Sequence, residues 1–360
     1  MRAEPPQTAP LRLSTRSGHM TAREFHRSIP GYQPTPLVEL PELADEFEVA
    51  TVLVKDESNR FGLPAFKILG ASWAVNRALS QRSGFDAPAT SLTELRERSA
   101  PVTLVTATDG NHGRALARIA ALLGLAARIY VPAGTVKETV DAISSEGAEV
   151  VQTSLIYDEV VWAAASSTAG HRDDLLIQDT AWEGYEQIPR WIVDGYGTLF
   201  DEIDEQLGGR AIHFVAVPTG VGSLLQAALQ HYRRPALQEQ PAVLAVEPVT
   251  AACVTASLGA GKPVSADTSE PTIMAGLNCG TVSAIAWPAI RDCLDAAVAV
   301  TDEQAAAAMR RLNELGIPAG ACGGSSLAGV RVALGDSDQR SELAISEESA
   351  LVLISTDGAV

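Results

Sequence analysis

Lys67 is the residue whose surroundings most clearly indicate chemistry. It stands in the run Phe66 to Gly70, between apolar residues and ahead of a helical pattern, Ala71 to Val75. Burial disfavours the charged form of an amine, so we expect the pKa of Lys67 to be lowered. A neutral amine can form a Schiff base with an aldehyde. Because a lysine near a helix start is more often a surface residue with a packed stem, Lys67 needs support from other motifs.

A glycine-rich turn, Gly220-Val221-Gly222-Ser223-Leu224, follows one apolar run and opens a helical pattern. Glycines allow close approach of the backbone, and N–H groups at a helix start attract anions, so the turn predicts a phosphate site. It matches neither the Walker loop nor the full dinucleotide fingerprint. A tight connection between strand and helix is the alternative interpretation.

A second turn, Thr108-Asp109-Gly110-Asn111-His112, places a carboxylate, an amide and an imidazole side by side. Such a loop can surround a small ligand. Its simpler interpretation is a cap for the following helix, since Asp and Asn side chains accept hydrogen bonds from first-turn N–H groups.

These turns belong to a chain in which short β-branched runs alternate with helical patterns, which is typical of the α/β class with parallel sheets. Active sites of such sheets lie beyond the carboxyl ends of the strands. The predicted strands are Thr51 to Lys55, Val102 to Thr106, Ala127 to Val131, Glu149 to Gln152, Leu175 to Gln178, His213 to Val217, Val243 to Val246 and Leu351 to Ile354. The predicted helices are His112 to Leu123, Val136 to Ser145, Asp158 to Ser167, Pro189 to Gln206, Ser223 to Gln230 and Asp302 to Leu315.

The length of 360 residues favours two domains. We expect a flexible arm over residues 1–28, a large domain over 29–95 and 186–360, and a smaller mobile domain over 96–185. The polar segment Ser80 to Ala100 is expected to be a connection near one boundary.

Composition limits the possible partners. The net charge of −17, with 44 acidic and 27 basic residues, argues against nucleic acid. No apolar run approaches the roughly 18 residues of a membrane span, and no export signal is apparent, so we expect a cytoplasmic protein without a membrane partner. Cys253, Cys279, Cys293 and Cys322 lack zinc-ligand spacing, so no metal is expected.

Together with the carboxyl-terminal Ser355, these motifs resemble the fold type II pyridoxal-phosphate enzymes of the tryptophan synthase β family. Finer similarity is to the diaminopropionate ammonia-lyase family. It rests on Asn59 to Lys67, Thr106 to Gly113, Gln178 to Tyr185 and Ile273 to Gly280, and Asp109 carries most weight because related dehydratases commonly have a neutral residue there.

The resemblance implies two open sheets with flanking helices and pyridoxal 5'-phosphate in the cleft between the domains. Lys67 would hold the cofactor and shuttle the Cα proton, and Phe66 would flank its ring. Asn111 would bind its phenolic oxygen and Ser355 would face its pyridine nitrogen. The phosphate would lie on Gly220, Val221, Gly222, Ser223 and Leu224. Lys67, Asp109 and Asp179 are the implied catalytic residues, and the implied substrate-binding residues are Thr108, Asp109, Gly110, His112 and Asp179.

The implied reaction is α,β-elimination of 2,3-diaminopropionate to pyruvate and ammonia through an aminoacrylate, by a homodimer. Two carboxylates, Asp109 and Asp179, suit a substrate with a second amine. A serine or threonine dehydratase, or another β-eliminating lyase of this fold, is the first alternative. The second is a protein that binds the cofactor or an amino acid without turnover. A dinucleotide-dependent oxidoreductase is disfavoured because no acidic ribose partner follows a complete glycine fingerprint.

Overall fold

The computed structural model describes residues 20–358, except 236, 238 and 239, and folds them into two β-sheets flanked by helices. The predicted α/β class is confirmed. The central strands of the larger sheet are buried on both faces, as expected for parallel strands joined by crossover helices, whereas the edge strands of both sheets are only partly buried.

The larger sheet has six strands in the order β1-β2-β10-β7-β8-β9, with β1 antiparallel to β2 and the other neighbours parallel. Its strands are β1 (Leu37–Glu39), β2 (Thr51–Asp56), β7 (Phe214–Pro218), β8 (Ala242–Pro248), β9 (Ala296–Val300) and β10 (Ala350–Ser355). The central strand β10 pairs its last residue, Ser355, with Asp56 of β2, so the ends of both strands open at the same edge.

The smaller sheet has four parallel strands in the order β5-β4-β3-β6. They are β3 (Thr103–Ala107), β4 (Ala126–Val131), β5 (Glu149–Gln152) and β6 (Asp174–Leu176). All four lie within the range 96–185 that the sequence assigns to a smaller domain. The mobility of that unit and its bounds stay predictions.

The helices cover both faces of the two sheets. They are α1 (Ala22–His26), α2 (Pro41–Phe47), α3 (Ile68–Arg82), α4 (Leu92–Arg98), α5 (Asn111–Leu123), α6 (Lys137–Ser145), α7 (Tyr157–Thr168), α8 (Gln187–Leu207), α9 (Ser223–Tyr232), α10 (Cys253–Ala260), α11 (Trp287–Cys293), α12 (Asp302–Glu314), α13 (Ala321–Gly335) and α14 (Ser337–Glu342). In the part of the chain that the structure describes, every helix is too short or too polar to cross a lipid bilayer.

Helices lie in two segments for which the sequence predicts a connection or an arm. The expected polar connection Ser80 to Ala100 contains the end of α3 and all of α4, which begins where the Ser91 side chain accepts a hydrogen bond from the Glu94 N–H at 3.1 Å. The expected flexible arm is structured from residue 20 onward, since α1 packs with Phe25 and His26 fully buried. Residues 1–19 of that arm lie outside the described residues.

A buried ion cluster joins β2 and the segment before Lys67 to helix α8. Lys55 Nζ donates to Glu202 at 2.9 Å, and Arg60 donates to Glu202 at 2.7 Å and to Glu57 at 2.6 Å. These four side chains are at most 1% exposed. Burial would raise the pKa of Glu202, but Arg60 and Lys55 lower it to about 2. The cluster therefore fixes the start of the chain segment that leads to Lys67.

Glu202→Gln should be strongly destabilising, because it leaves the Lys55 and Arg60 charges buried with too little compensation. We expect the free energy of unfolding to fall by about 3–5 kcal/mol, measured by urea denaturation. Glu205→Gln on the same helix is the matched control. The Glu205 side chain pairs with Arg23 but is 58% exposed, so this substitution should lower the free energy of unfolding by only about 0–1 kcal/mol. Equal effects of the two substitutions would show that burial of the cluster does not matter.

Candidate active site

One cleft is lined by the turns that follow strands β3, β6, β7 and β10 and by the turn before α3. It contains about 730 Å³ of empty space, part of it open to solvent. Its position at the carboxyl ends of parallel strands is the one expected for an α/β fold. Its walls are formed by Phe66, Lys67, Thr108, Asp109, Asn111, His112, Tyr157, Asp179, Tyr196, Pro218 to Leu225, Gly276, Leu277, Cys279, Cys322, Thr356 and Asp357.

Lys67 lies directly before α3, with its side chain 21% exposed toward the cleft. Its Nζ donates a hydrogen bond to Asp179 Oδ2 at 2.8 Å and lies 5.7 Å from the centre of the Phe66 ring. Burial would lower the pKa of Lys67, but nearby carboxylates, Asp179 first and then Asp109, together outweigh burial and raise it. The expected lowering of this pKa is therefore wrong for the free protein, because a counter-ion from a distant part of the chain holds the ammonium.

Asp179 follows β6 and is the buried counter-ion of Lys67. Burial would raise the pKa of Asp179, but the Lys67 ammonium lowers it to about 2, so this carboxylate is ionised. Its Oδ1 accepts a hydrogen bond from the side-chain amide of Gln178 at 3.2 Å. Its backbone oxygen accepts one from the Ser223 hydroxyl at 3.0 Å, which links the β6 turn to the glycine-rich turn.

His112 is a neutral neighbour of this pair. Burial lowers the pKa of His112, and its Nε2 lies 2.8 Å from the backbone oxygen of Ile177, which assigns the ring proton to Nε2 because a carbonyl can only accept. The other nitrogen, Nδ1, lies 4.0 Å from Asp179 Oδ2. His112 therefore orders the end of β6 as well as lining the cleft.

The turn before α5 brings two different polar groups to the cleft. Thr108 Oγ1 accepts hydrogen bonds from Gly110 N–H at 2.9 Å and Gly113 N–H at 3.1 Å, so this hydroxyl organises the start of the helix. Asp109 is half-buried, and burial raises its pKa to about 6. Within the described residues, no Lys, Arg or His forms an ion pair with Asp109. Asn111 is the first residue of α5 and also lines the cleft.

The glycine-rich turn has the geometry of an anion site. Gly222 precedes α9 with φ +93°, a conformation that favours glycine, and a Cβ there would lie 2.9 Å from Ile290 Cδ1. The first-turn N–H groups of α9 have no acceptor within the helix and carry its positive dipole end. The structure thus brings Gly220, Val221, Gly222, Ser223 and Leu224 to the same cleft as Lys67.

Ser355 ends β10 and is fully buried, and its Oγ has no hydrogen-bond partner among the described residues. Ser355 does not itself line the cleft, but Thr356 and Asp357, directly after it, do. An amine and an anion-binding helix start in the cleft, with an unpaired hydroxyl at the strand end beside it, suit the aldehyde, the phosphate and the ring nitrogen of pyridoxal phosphate. The residues that are present therefore fit that cofactor.

Several cleft residues are absent from the sequence-based prediction. Tyr196 of α8 packs its ring 4.8 Å from that of Phe66, and Tyr157 begins α7. Neither stands in a recognisable motif. Asp357 also lines the cleft, and the rule that strand ends form the site could have found it, because it lies two residues after β10.

Comparison with known proteins agrees with this geometry. The family described as "Pyridoxal-phosphate dependent enzyme" matches residues 29–357. Diaminopropionate ammonia-lyase of Escherichia coli strain K12 is 38% identical over 98% of this chain and 90% of its own length. The crystal structure of holo diaminopropionate ammonia lyase from Escherichia coli superposes with a TM-score of 0.87 at 37% identity, over 94% of this chain and 87% of that chain.

A more distant neighbour, maize serine racemase, has a TM-score of 0.75 at 24% identity over 94% of this chain and 92% of that chain, and it shares the fold. The higher identity to the ammonia-lyases extends over nearly the whole chain. The chain belongs to the pyridoxal-phosphate-dependent enzymes of fold type II and, among them, to the diaminopropionate ammonia-lyase family.

Proposed function

We propose that this protein eliminates ammonia from 2,3-diaminopropionate and releases pyruvate and ammonia. The main support for this proposal is that two of the carboxylates in the cleft differ in whether they have a cationic partner. Asp179 is paired with Lys67, whereas Asp109 is held in the same cleft without a cation within ion-pair distance among the described residues. A substrate with a second ammonium group supplies the missing cation.

Pyridoxal phosphate, when bound at this site, supplies an electron sink that acidifies the Cα–H bond of an amino acid and lets a β substituent leave. Lys67 is the amine that would hold it, and Gly220 to Leu224 would bind its phosphate through N–H groups. The hydroxyl of Ser355 would meet its ring nitrogen without adding a formal charge. The rings of Phe66 and Tyr196 pack 4.8 Å apart and form an apolar part of the cleft wall.

Proton transfer at Cα is assigned to Lys67, with Asp179 as its counter-ion. The contact of 2.8 Å lets the Asp179 carboxylate orient the Lys67 nitrogen and stabilise the ammonium that forms when Lys67 accepts the Cα proton. Asp109, as a carboxylate above its pKa of about 6, would bind the β-ammonium. The leaving nitrogen is then already protonated and departs as ammonia when the Cα–H electrons form the new double bond.

The wild-type holoenzyme should prefer 2,3-diaminopropionate to serine and threonine. We expect kcat/KM for 2,3-diaminopropionate to exceed that for serine by at least about 100-fold, because the β-hydroxyl leaves Asp109 without its counter-ion. Pyruvate or 2-oxobutyrate formation, coupled to lactate dehydrogenase, measures all three substrates. Both enantiomers of 2,3-diaminopropionate belong in the comparison.

Preference for serine or threonine would instead support a dehydratase of the same fold. Binding of 2,3-diaminopropionate without release of pyruvate or ammonia would support a protein that binds its ligand without turnover. Homodimeric assembly and a cytoplasmic location stay predictions, and sedimentation equilibrium of the holoenzyme tests the first of them.

A further inference from the structure

Asp357 is a buried carboxylate of the cleft that the proposed reaction leaves without a role. It lies just beyond the end of β10, is 9% exposed, and lines the cleft together with Asp109. Its Oδ1 accepts a hydrogen bond from the Gly323 N–H, in the first turn of α13, at 2.6 Å. Its backbone oxygen accepts one from the Gly320 N–H at 2.8 Å.

The start of α13 is shaped to receive this carboxylate. A Cβ on Gly320 would lie 2.8 Å from Asp357 Cγ, and a Cβ on Gly323 would lie 2.6 Å from Ser355 Oγ and 3.1 Å from Asp357 Oδ1. Real Cβ atoms do not tolerate the shortest of these separations, so the two glycines leave room for the end of β10 to cross the helix start. Asp357 is thereby held at the cleft wall in one position.

The Asp357 carboxylate meets N–H groups at the start of α13 but has no basic side chain as a partner within the described residues. The described residues place no Lys, Arg or His within 4.0 Å of the carboxylates of Asp357 or Asp109, whereas Asp179 has Lys67. Burial raises the pKa of Asp357 to about 6, although the hydrogen bond from Gly323 acts against it. A buried carboxylate without a cation is costly, and a cationic ligand removes that cost.

A second group beside Asp357 also lacks a partner. Thr356 is 4% exposed and lines the same cleft, and its Oγ1 has no hydrogen-bond partner among the described residues. Buried hydroxyls are almost always paired, so this one indicates a polar ligand at the same wall. The wall formed by Thr356 and Asp357 therefore presents two adjacent acceptors to whatever occupies the cleft.

We propose that Asp357 is a specificity-determining residue, which together with Asp109 binds the second ammonium group of a diamino-acid substrate. This inference rests on the proposed function. An ammonium has three N–H donors and can meet two carboxylates at once, whereas a β-hydroxyl has one donor and no charge. Serine would leave both carboxylates without a cation, so the pair selects against it as well as for the diamino acid.

The test uses the holoenzyme and an Asp357→Asn variant. Asparagine keeps an oxygen that can accept the Gly323 N–H but removes the charge. We expect KM for 2,3-diaminopropionate to rise roughly 10- to 100-fold, the size of one lost charged hydrogen bond, and kcat/KM for serine to rise rather than fall, because one carboxylate that serine leaves without a cation is gone. A titration of the cofactor absorbance should show weaker binding of 2,3-diaminopropionate and unchanged binding of alanine, which has no β-amino group and cannot eliminate.

Asp336→Asn is the matched control for a helix cap. Asp336 is exposed and accepts hydrogen bonds from Asp338 and Gln339 N–H groups at the start of α14, away from the cleft. Asp336→Asn should leave kcat/KM unchanged for both 2,3-diaminopropionate and serine. If the role of Asp357 were only to cap α13, Asp357→Asn would lower the melting temperature without changing the ratio of kcat/KM values, and the proposal would be overturned.

A double-mutant cycle tests whether Asp109 and Asp357 hold the same group. Asp109→Asn and Asp357→Asn should each weaken binding of 2,3-diaminopropionate, and the double variant should lose less than the product of the two single losses. Independent, multiplicative losses would contradict a shared ammonium. A wild-type enzyme that prefers serine would refute the proposed function, whereas equal losses on both substrates in Asp357→Asn would refute only the assignment of Asp357.

Discussion

A Lys67→Ala enzyme should lose at least about 1000-fold in kcat for pyruvate formation, because it lacks both the amine that holds the cofactor and the base at Cα. The loss should be the largest of any single substitution in the cleft. Lys67 lies at the junction of the cofactor and proton-transfer sites, next to Phe66 and 2.8 Å from Asp179. No other amine lines the cleft within the described residues, so no neighbour can replace it.

A readout independent of turnover separates loss of the amine from loss of fold. Treatment of the wild-type holoenzyme with borohydride should fix the cofactor on the peptide that contains Lys67, as a mass increase seen by mass spectrometry. The Lys67→Ala protein should show none, with an unchanged melting profile. Lys262→Ala, at an exposed lysine, is the control and should keep full activity. Covalent fixation at another lysine would contradict the assignment.

Asp179→Asn should give the second largest loss, about 100- to 10,000-fold in kcat, because the variant removes the carboxylate that orients Lys67 and stabilises its ammonium form. The substitution preserves the shape of the side chain but leaves the Lys67 ammonium without its counter-ion. We expect the pKa of Lys67 to fall, since the carboxylate is what raises it above the value that burial favours. In the holoenzyme, where Lys67 holds the cofactor, the same nitrogen loses its counter-ion, and a pH titration of the cofactor absorbance should show that it is deprotonated at a lower pH than in the wild type.

The control for Asp179→Asn is Asp173→Asn, on a side chain that is 94% exposed. It should leave both kcat and the titration unchanged. If Asp179→Asn lowered activity without moving the titration, Asp179 would act elsewhere than on Lys67. In that case the contact of 2.8 Å would be a property of the free protein alone.

The part of the fold that could be predicted from the sequence is the part with strong local patterns. The apolar strand Val102 to Thr106 is observed as Thr103–Ala107, and the helix predicted from His112 begins at Asn111. Helix α13 and strand β9 were not predicted. Helix α13 is rich in glycine and serine, which disfavour helices, and packing in the core overrides that preference. Strand β9, Ala296–Val300, is alanine-rich and lacks a clear strand signal.

The candidate site shows the same difference between local motifs, which the sequence predicts, and contacts between distant residues, which it does not. The glycine-rich turn and the loop around Asp109 are local motifs, and the structure brings both to one cleft. The Lys67–Asp179 ion pair joins residues 112 positions apart, so no local pattern contains it. Because sequence patterns do not reveal this ion pair, they predict a lowered pKa for Lys67, whereas the structure raises it. Asp357 could have been found by the rule that strand ends form the site, but its close packing against the glycines of α13 could not.

The ratio of ammonia to pyruvate released by the wild-type holoenzyme tests the central claim most directly. Elimination from 2,3-diaminopropionate frees the β-nitrogen, and hydrolysis of the remaining enamine consumes one water and frees the second nitrogen as pyruvate forms. Glutamate dehydrogenase and lactate dehydrogenase assays on one reaction mixture give both products. We predict two ammonia for each pyruvate with 2,3-diaminopropionate as the substrate. One ammonia for each pyruvate, or no pyruvate from this substrate, would contradict the account.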